Sequence, residues 1–183
     1  MLIQFFDLTE RKRIEDKLRH LAFHDPLTHL PNRRLLLDRL TQALHLGKRE
    51  KSYLAVLFID LNKFKQLNDS YGHDTGDLML IEVANRLQNI VRQSDTVARL
   101  GGDEFIVLLS RLSSDFELAS QYAESIVDKI RSALCSEYLL GTIHHKGSAS
   151  IGTKLFLGED IDPDQIIKDA DAAMYEIKRD SAR

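Results

Sequence analysis

The hydrophobic positions change their spacing several times along the chain, and each change marks an element. Ile3 to Phe6 read as a short strand, and Asp7-Leu8-Thr9-Glu10 places a capping acid three residues before a Glu, the start of a strongly charged helix. Within that helix Ile14, Leu18 and Leu21 draw a narrow apolar seam, which fits a short coiled coil or a solvated connector equally. Asp25-Pro26 and Leu30-Pro31-Asn32 end the pattern, because the residue before a proline is pushed away from helix. A linker helix over 1–22 and a main domain over 23–183 are expected.

From Asn32 a helix carries Leu36, Leu37, Leu40, Ala43 and Leu44 at helical spacing. Tyr53 to Ile59 is continuously apolar with β-branched and aromatic members, the signature of a strand buried on both faces. A polar stretch over 62–77, rich in Asn, Asp and Gly, then precedes a long amphipathic helix marked by Leu80, Ala84, Leu87, Ile90 and Val91. Thr96 to Leu100 and Phe105 to Leu109 flank Gly101-Gly102-Asp103-Glu104, which predicts a hairpin with a glycine turn. Phe116, Ala119, Tyr122, Ala123, Ile126 and Ile130 mark another helix, and a strand is expected within Ile143 to Ile151. Ile166, Ile167, Ala170, Met174 and Ile177 mark the last helix, with Met174 and Tyr175 as core positions. Helices and strands alternate, so the class is α/β, and the hairpin makes the sheet at least partly antiparallel.

Composition narrows the function classes. The 183 residues are 43% hydrophobic and 29% charged, enough to bury a core without a disulfide or structural metal. Cys135 is the only cysteine, so there is neither a disulfide framework nor a CxxC metal clamp. Against 25 Lys and Arg stand 28 Asp and Glu, a net charge of -3, which leaves no general basic field for nucleic acid. No apolar run approaches the ~20 residues of a membrane span. A soluble, cytoplasmic domain without direct membrane contact is expected.

The chemistry gathers where strands end. Asp60 follows the buried strand directly, and Asp103 and Glu104 sit on the hairpin tip behind two glycines that let a ligand approach the backbone. If the hairpin pairs beside that strand, these acids converge. Two carboxylates about 4 Å apart repel by ~4 kcal/mol at an effective dielectric near 20, so a hard divalent cation with substrate phosphates would satisfy them. On spacing alone a solvated hairpin tip fits as well. His144-His145 would point to opposite faces of a strand and reads as structural, as does the loop residue His73.

The segment Arg99-Leu100-Gly101-Gly102-Asp103-Glu104-Phe105 resembles the GGDEF motif of bacterial diguanylate cyclases. Phe58-Ile59-Asp60-Leu61-Asn62-Lys63-Phe64-Lys65-Gln66-Leu67-Asn68-Asp69, continuing to Asp77, resembles the family's second long motif. Asp25 to Arg33, Ser150-Ile151-Gly152 and Ala170 to Tyr175 match further motifs, so the resemblance covers residue 23 to about 180. It implies a nucleotidyl-cyclase or polymerase-palm-like fold: a five-stranded, mostly antiparallel sheet surrounded by helices. It also implies condensation of two GTP into cyclic di-GMP across a homodimer, with release of two pyrophosphates and Mg²⁺ or Mn²⁺ as cofactor, two ions per site.

By the same resemblance Asp60, the Leu61 carbonyl and Asp103 are metal ligands, and Asp103 is also the candidate base. Glu104 supports them, and Lys65 stabilises charge on the terminal phosphates. The N–H groups of Asn62, Lys63 and Phe64 cradle the phosphates, Lys178 adds a phosphate contact, and Gly102 gives the backbone room. Asn68 and Asp77 read guanine, which disfavours ATP. Arg92-Gln93-Ser94-Asp95, separated from Gly101 by the five residues Thr96 to Leu100, stands in the register of the family's RxxD product-inhibition site.

Departures from the family pattern are His29, where Gly is usual, and Ala182, where an Arg is usual. Asp7 to Lys12 also resembles the exit of a PAS sensor domain, so the chain is expected to come from a larger PAS-GGDEF or PAS-GGDEF-EAL signalling protein. The alternative to a cyclase is a catalytically weak regulatory domain that binds GTP or cyclic di-GMP.

Overall fold

The computed structural model describes residues 10–15, 21–158 and 161–181. The strand expected over Ile3 to Phe6, the cap at Asp7, Leu18 of the apolar seam and Ala182 lie outside them. Residues 10–15 and 21–23 are helical, and the seam residues Ile14 and Leu21 are 53% and 60% exposed.

Helix α1 (Arg33–Glu50) starts where the Asn32 side chain accepts from the N–H groups of Arg34 and Leu35. It stops at Lys51, whose left-handed backbone turns its N–H back onto the Gly47 carbonyl. Strand β1 (Tyr53–Leu61) follows, then α2 (Phe64–Tyr71) and α3 (His73–Ile90). The polar stretch over 62–77 is therefore largely helical. Its polarity reflects exposure, since Leu67 is the one buried residue of α2, and Gly72 at φ 86° separates the two helices.

Strands β2 (Thr96–Gly101) and β3 (Glu104–Leu109) form the expected hairpin. After α4 (Phe116–Leu134), which ends at Cys135, the single expected strand proves to be two: β5 (Ile143–Lys146) pairs with β4 (Glu137–Leu140), and β6 (Ala149–Leu157) pairs with β1. Helix α5 (Pro163–Ser181) is the last element.

The main sheet has the order β2-β3-β1-β6 and every pair is antiparallel. It therefore has four strands among the described residues, with β4 and β5 forming a separate ribbon, where the resemblance implied five in one sheet. Each strand-helix-strand unit steps over one intervening strand, the split βαβ arrangement.

Two apolar layers sandwich this sheet, and the period of two along β1 assigns its residues to them. Ala55, Leu57, Ile59 and Leu61 pack with α3 and α4, whereas Leu54, Val56 and Phe58 pack with α1 and α5. Both faces are buried, so β1 reads as an unbroken apolar run. Asp60 has the parity of Leu54, Val56 and Phe58, which puts its carboxylate on the α5 side. On β3, Glu104 shares the parity of Ile106 and Leu108, members of the same layer.

On α5, Ile166, Ile167, Ala170 and Met174 are buried, but Tyr175 is 64% exposed. Its expected core position is corrected, because it lies about 100° around the helix from Met174. The β4–β5 ribbon is anchored by Arg86, which donates to the carbonyls of Ala133, Ser136 and Glu137 and lies over the Tyr138 ring. Burial pushes the Tyr138 hydroxyl up to about 12, and it donates to the Leu134 carbonyl.

Candidate active site

Strand register brings the acids together. Asp60 stands opposite Glu104 on β3 and opposite Ser150 on β6, at the end of the central strand. The Leu61 N–H donates to the Asp103 carbonyl at 3.3 Å, which ties the hairpin tip to the strand end. Gly101 at φ 152° and Gly102 at φ 51° make that tip in conformations L side chains rarely adopt. Asn62 fixes the other side: its N–H donates to the Ser148 carbonyl and its Oδ1 accepts from the Ser150 hydroxyl. The Asn62 N–H is thus engaged within the fold, which corrects its expected place in the phosphate cradle.

Charge is concentrated here. Burial raises the Asp103 carboxyl above its ordinary value; a backbone hydrogen bond opposes this, and the Asp60 carboxylate adds to it. Glu104 is also raised, by burial first and then by the charges of Asp171, Asp103 and Asp60. An acid with a raised folded-state pKa costs stability while ionised, and that cost is relieved only as pH falls through the folded value. The nearby cation is Lys178, whose Nζ lies 2.6 Å from Asp60 Oδ1.

Asp171 was not singled out by sequence reasoning. The available signal was its spacing of seven residues from Lys178, two turns along one helix. Among the described residues no three His, Cys, Asp or Glu side chains are grouped to hold a metal alone. Mg²⁺ needs no such cage, since it binds through one or two carboxylates together with substrate phosphates. The hard oxygens of Asp60, Asp103 and the Leu61 carbonyl fit that mode, and the Asp60 charge is among the causes that raise Asp103.

The turn after β1 leads into the second half of the site. Lys63 takes a left-handed conformation at φ 60° and caps α2, so the N–H groups of Lys63 and Phe64 open the helix, where the first donors have no intrahelical partner. Lys65 is exposed in the first turn. Asn68 lies one turn on, and its Oδ1 is buried without a hydrogen-bond partner. It packs against Gly76 of α3, where a Cβ would overlap Oδ1 and approach Phe64 Cζ to 3.2 Å. Gly76 therefore makes room for Asn68, a positioning role sequence reasoning did not assign. Asp77, the next residue, is exposed.

Arg99 braces the hairpin tip. It donates to the Gly102 carbonyl at 2.8 Å and to Asp25 Oδ1 at 2.9 Å. Burial pushes the Asp25 carboxyl up, but hydrogen bonds from Thr28 and the Arg99 guanidinium prevail and hold it below its ordinary value. In the same turn His29 sits at φ 58°, the left-handed region, which explains why glycine suits that position.

Arg92 and Asp95 lie away from these acids. The Arg92 guanidinium rests 4.5 Å from the Tyr122 ring centroid. Asp95 is 9% exposed, and its carboxylate accepts from the N–H groups of Arg92 and Ser110. Beside them a cavity of about 480 Å³ is lined by Arg39, Arg92, Asp95, His24 and His29, among others.

The family model described as "Diguanylate cyclase, GGDEF domain" matches residues 22–183. The chain is 46% identical over 171 residues to the bifunctional diguanylate cyclase/cyclic di-GMP phosphodiesterase MucR of Pseudomonas aeruginosa, covering 93% of this chain and 24% of MucR. A truncated TpbB from Pseudomonas aeruginosa comprising only the GGDEF domain superposes with a TM-score of 0.79 at 41% identity, covering 86% of this chain and 89% of that one. The coiled coil and GGDEF domain of DgcB from Caulobacter crescentus, in complex with c-di-GMP, gives 0.82 at 25% identity, covering 97% and 92%. The chain spans well under half the length of the curated relatives MucR and TpbB, at 24% and 38%. No helix among the described residues is long and apolar enough to cross a membrane.

Proposed function

The chain belongs to the diguanylate cyclase GGDEF-domain family, and from that premise we propose that it condenses two GTP into cyclic di-GMP as a homodimer in the cytoplasm. The observation that carries this reading is the convergence of Asp60, Asp103 and Glu104 at one strand end, where burial and neighbouring carboxylates raise Asp103 and Glu104. Each protomer holds one GTP. The 3′-oxygen of one attacks the α-phosphorus of the other, a P–O bond forms, the bond to the pyrophosphate breaks, and the 3′-proton leaves to a base. Repetition in the other direction closes the ring and releases the second pyrophosphate.

Asp60, the Leu61 carbonyl and Asp103 would hold divalent cations, Mg²⁺ or Mn²⁺ and two per site on this reading, which supply neutralisation of triphosphate charge and a lowered hydroxyl pKa. Asp103 is the candidate base that accepts the 3′-proton. Glu104 supports the same centre. The N–H groups of Lys63 and Phe64 receive phosphate oxygens at the α2 N-terminus, Gly102 leaves backbone room, and Lys65 and Lys178 balance the terminal phosphates.

Asn68 and Asp77 read guanine. The unpartnered Asn68 Oδ1 supports this reading, since a base N–H would satisfy it. Gly76→Ala should push Asn68 aside and lower GTP affinity by about 10-fold, with a smaller effect on ATP. Titration with both nucleotides checks this, and an equal loss for the two would assign Gly76 to packing alone.

The test of the main reading is turnover of GTP with Mg²⁺ at several protein concentrations. Cyclic di-GMP and pyrophosphate are the expected products, with specific activity rising as dimers form. A flat profile through the dissociating range would overturn the shared site.

Product binds in the cavity beside Arg92 and Asp95 on this reading, with Arg92 reaching phosphate. In the same assay added cyclic di-GMP should slow the wild type and spare Arg92→Ala. The second reading, a regulatory domain that binds GTP or cyclic di-GMP without turnover, is favoured by that same cavity. Binding of cyclic di-GMP with no product formed would select it.

A further inference from the structure

We propose that the Asp60 carboxylate is a cation-exchange site whose resident ion, before nucleotide arrives, is the Lys178 ammonium. The inference rests on the reading of Asp60 as a divalent-cation ligand and adds what occupies it first. Lys178 Nζ lies 2.6 Å from Asp60 Oδ1, and the side chains are 43% and 12% exposed. The contact joins residues 118 positions apart.

Core packing sets this pairing. Ala170 and Met174 are buried against β6 at Gly152, and Lys178 continues the same face of α5 one turn further. The parity of β1 turns Asp60 to the α5 side. The ammonium therefore arrives at Asp60 as a product of the fold, and its charge also reaches Asp103 and Glu104.

Exchange follows from the chemistry of the two ions. An ammonium offers one charge and three donors, while a divalent cation offers two charges and takes several oxygens at once. A cation arriving alone must break the Asp60–Lys178 pair and leave the ammonium to solvent. A cation arriving with a triphosphate breaks the same pair, but the released ammonium finds phosphate oxygens. Lys178 thereby couples the two ligands positively: each makes the other's binding more favourable. The site keeps the Asp60 carboxylate paired without nucleotide and discriminates against an unaccompanied cation.

The test measures Mn²⁺ binding by electron paramagnetic resonance, without nucleotide, on wild type, Lys178→Met and Lys178→Arg. Lys178→Met keeps the apolar stem and removes the charge, so Mn²⁺ affinity should rise about tenfold. Lys178→Arg keeps a cation opposite Asp60 and should stay within about twofold of wild type. With the metal present, the affinity of Lys178→Met for GTP should instead fall about tenfold. Opposite movements of the two affinities are the signature, because general damage to the fold weakens both.

Unchanged or weaker Mn²⁺ binding by Lys178→Met overturns the exchange. If Asp60→Asn still abolishes saturable binding in that case, the cation reading of Asp60 survives. No saturable Mn²⁺ binding by Lys178→Met overturns both.

Discussion

Asp60→Asn should lower cyclic di-GMP formation by about 10³-fold while shifting the melting temperature by only a few degrees. Asparagine has the size of the carboxylate and keeps one oxygen, so the backbone pairing of Asp60 with Glu104 and Ser150 is retained. What it loses is the charge. Stabilising a transferring phosphoryl group through a bound cation is worth several kcal/mol, and about 1.4 kcal/mol is tenfold in rate. The cost to folding is small because Lys178 is 43% exposed and water can solvate the ammonium left behind. Pyrophosphate release and a thermal melt on the same sample measure both quantities. A fall in melting temperature large enough to account for the lost activity would make Asp60 a structural anchor for α5.

Gly152→Ala should have a large effect on stability, about 3 kcal/mol, and should take activity with it. Gly152 on β6 faces the backbone of α5 directly. A Cβ there would overlap the Met174 nitrogen and lie 2.5 Å from the Ala170 carbonyl oxygen and 2.6 Å from Met174 Cα. All three are backbone atoms, so no rotamer change relieves the contact. The helix must move off the sheet, carrying Lys178 and Asp171 away from the strand end. For a domain of this size the melting temperature should fall by roughly 6–12 °C. An unchanged melt would show that α5 does not pack on β6 at this distance.

Much of this was legible in the sequence because burial imposes a period. The helix around Leu36, Leu40 and Leu44 and the hairpin around Gly101 and Gly102 were visible from spacing and turn chemistry. So was the buried strand over Tyr53 to Ile59, which extends through Asp60 to Leu61. Helix α2 was not, because three apolar residues, Phe64, Leu67 and Tyr71, in an eight-residue segment rich in Asn and Asp are too few to set a period. The division of the last strand region into β5 and β6 was hidden for a related reason. Gly147 and Ser148 separate strands that pair with different partners, and pairing is not written in local spacing.

At the site, the motifs singled out the acids without giving their environment. That Asp60 meets an ammonium, and that Asp95 is already bonded to two N–H groups, depends on which elements pack together. Asp171, Gly76 and Arg99 act through contacts with residues far along the chain or on another helix, so only the folded chain brings them to the site.

The Arg99 brace removes a degree of freedom. Its guanidinium, 74 residues along the chain from Asp25, joins that carboxylate to the Gly102 carbonyl, and its own backbone N–H donates to the Pro31 carbonyl. The turn from Asp25 to Pro31 and the tip that carries Asp103 are therefore clasped together, and helical residues 21–23 lead directly into that clasp. The tip is in turn tied to the Leu61 N–H, so the clasp links the entry of the domain to the end of its central strand.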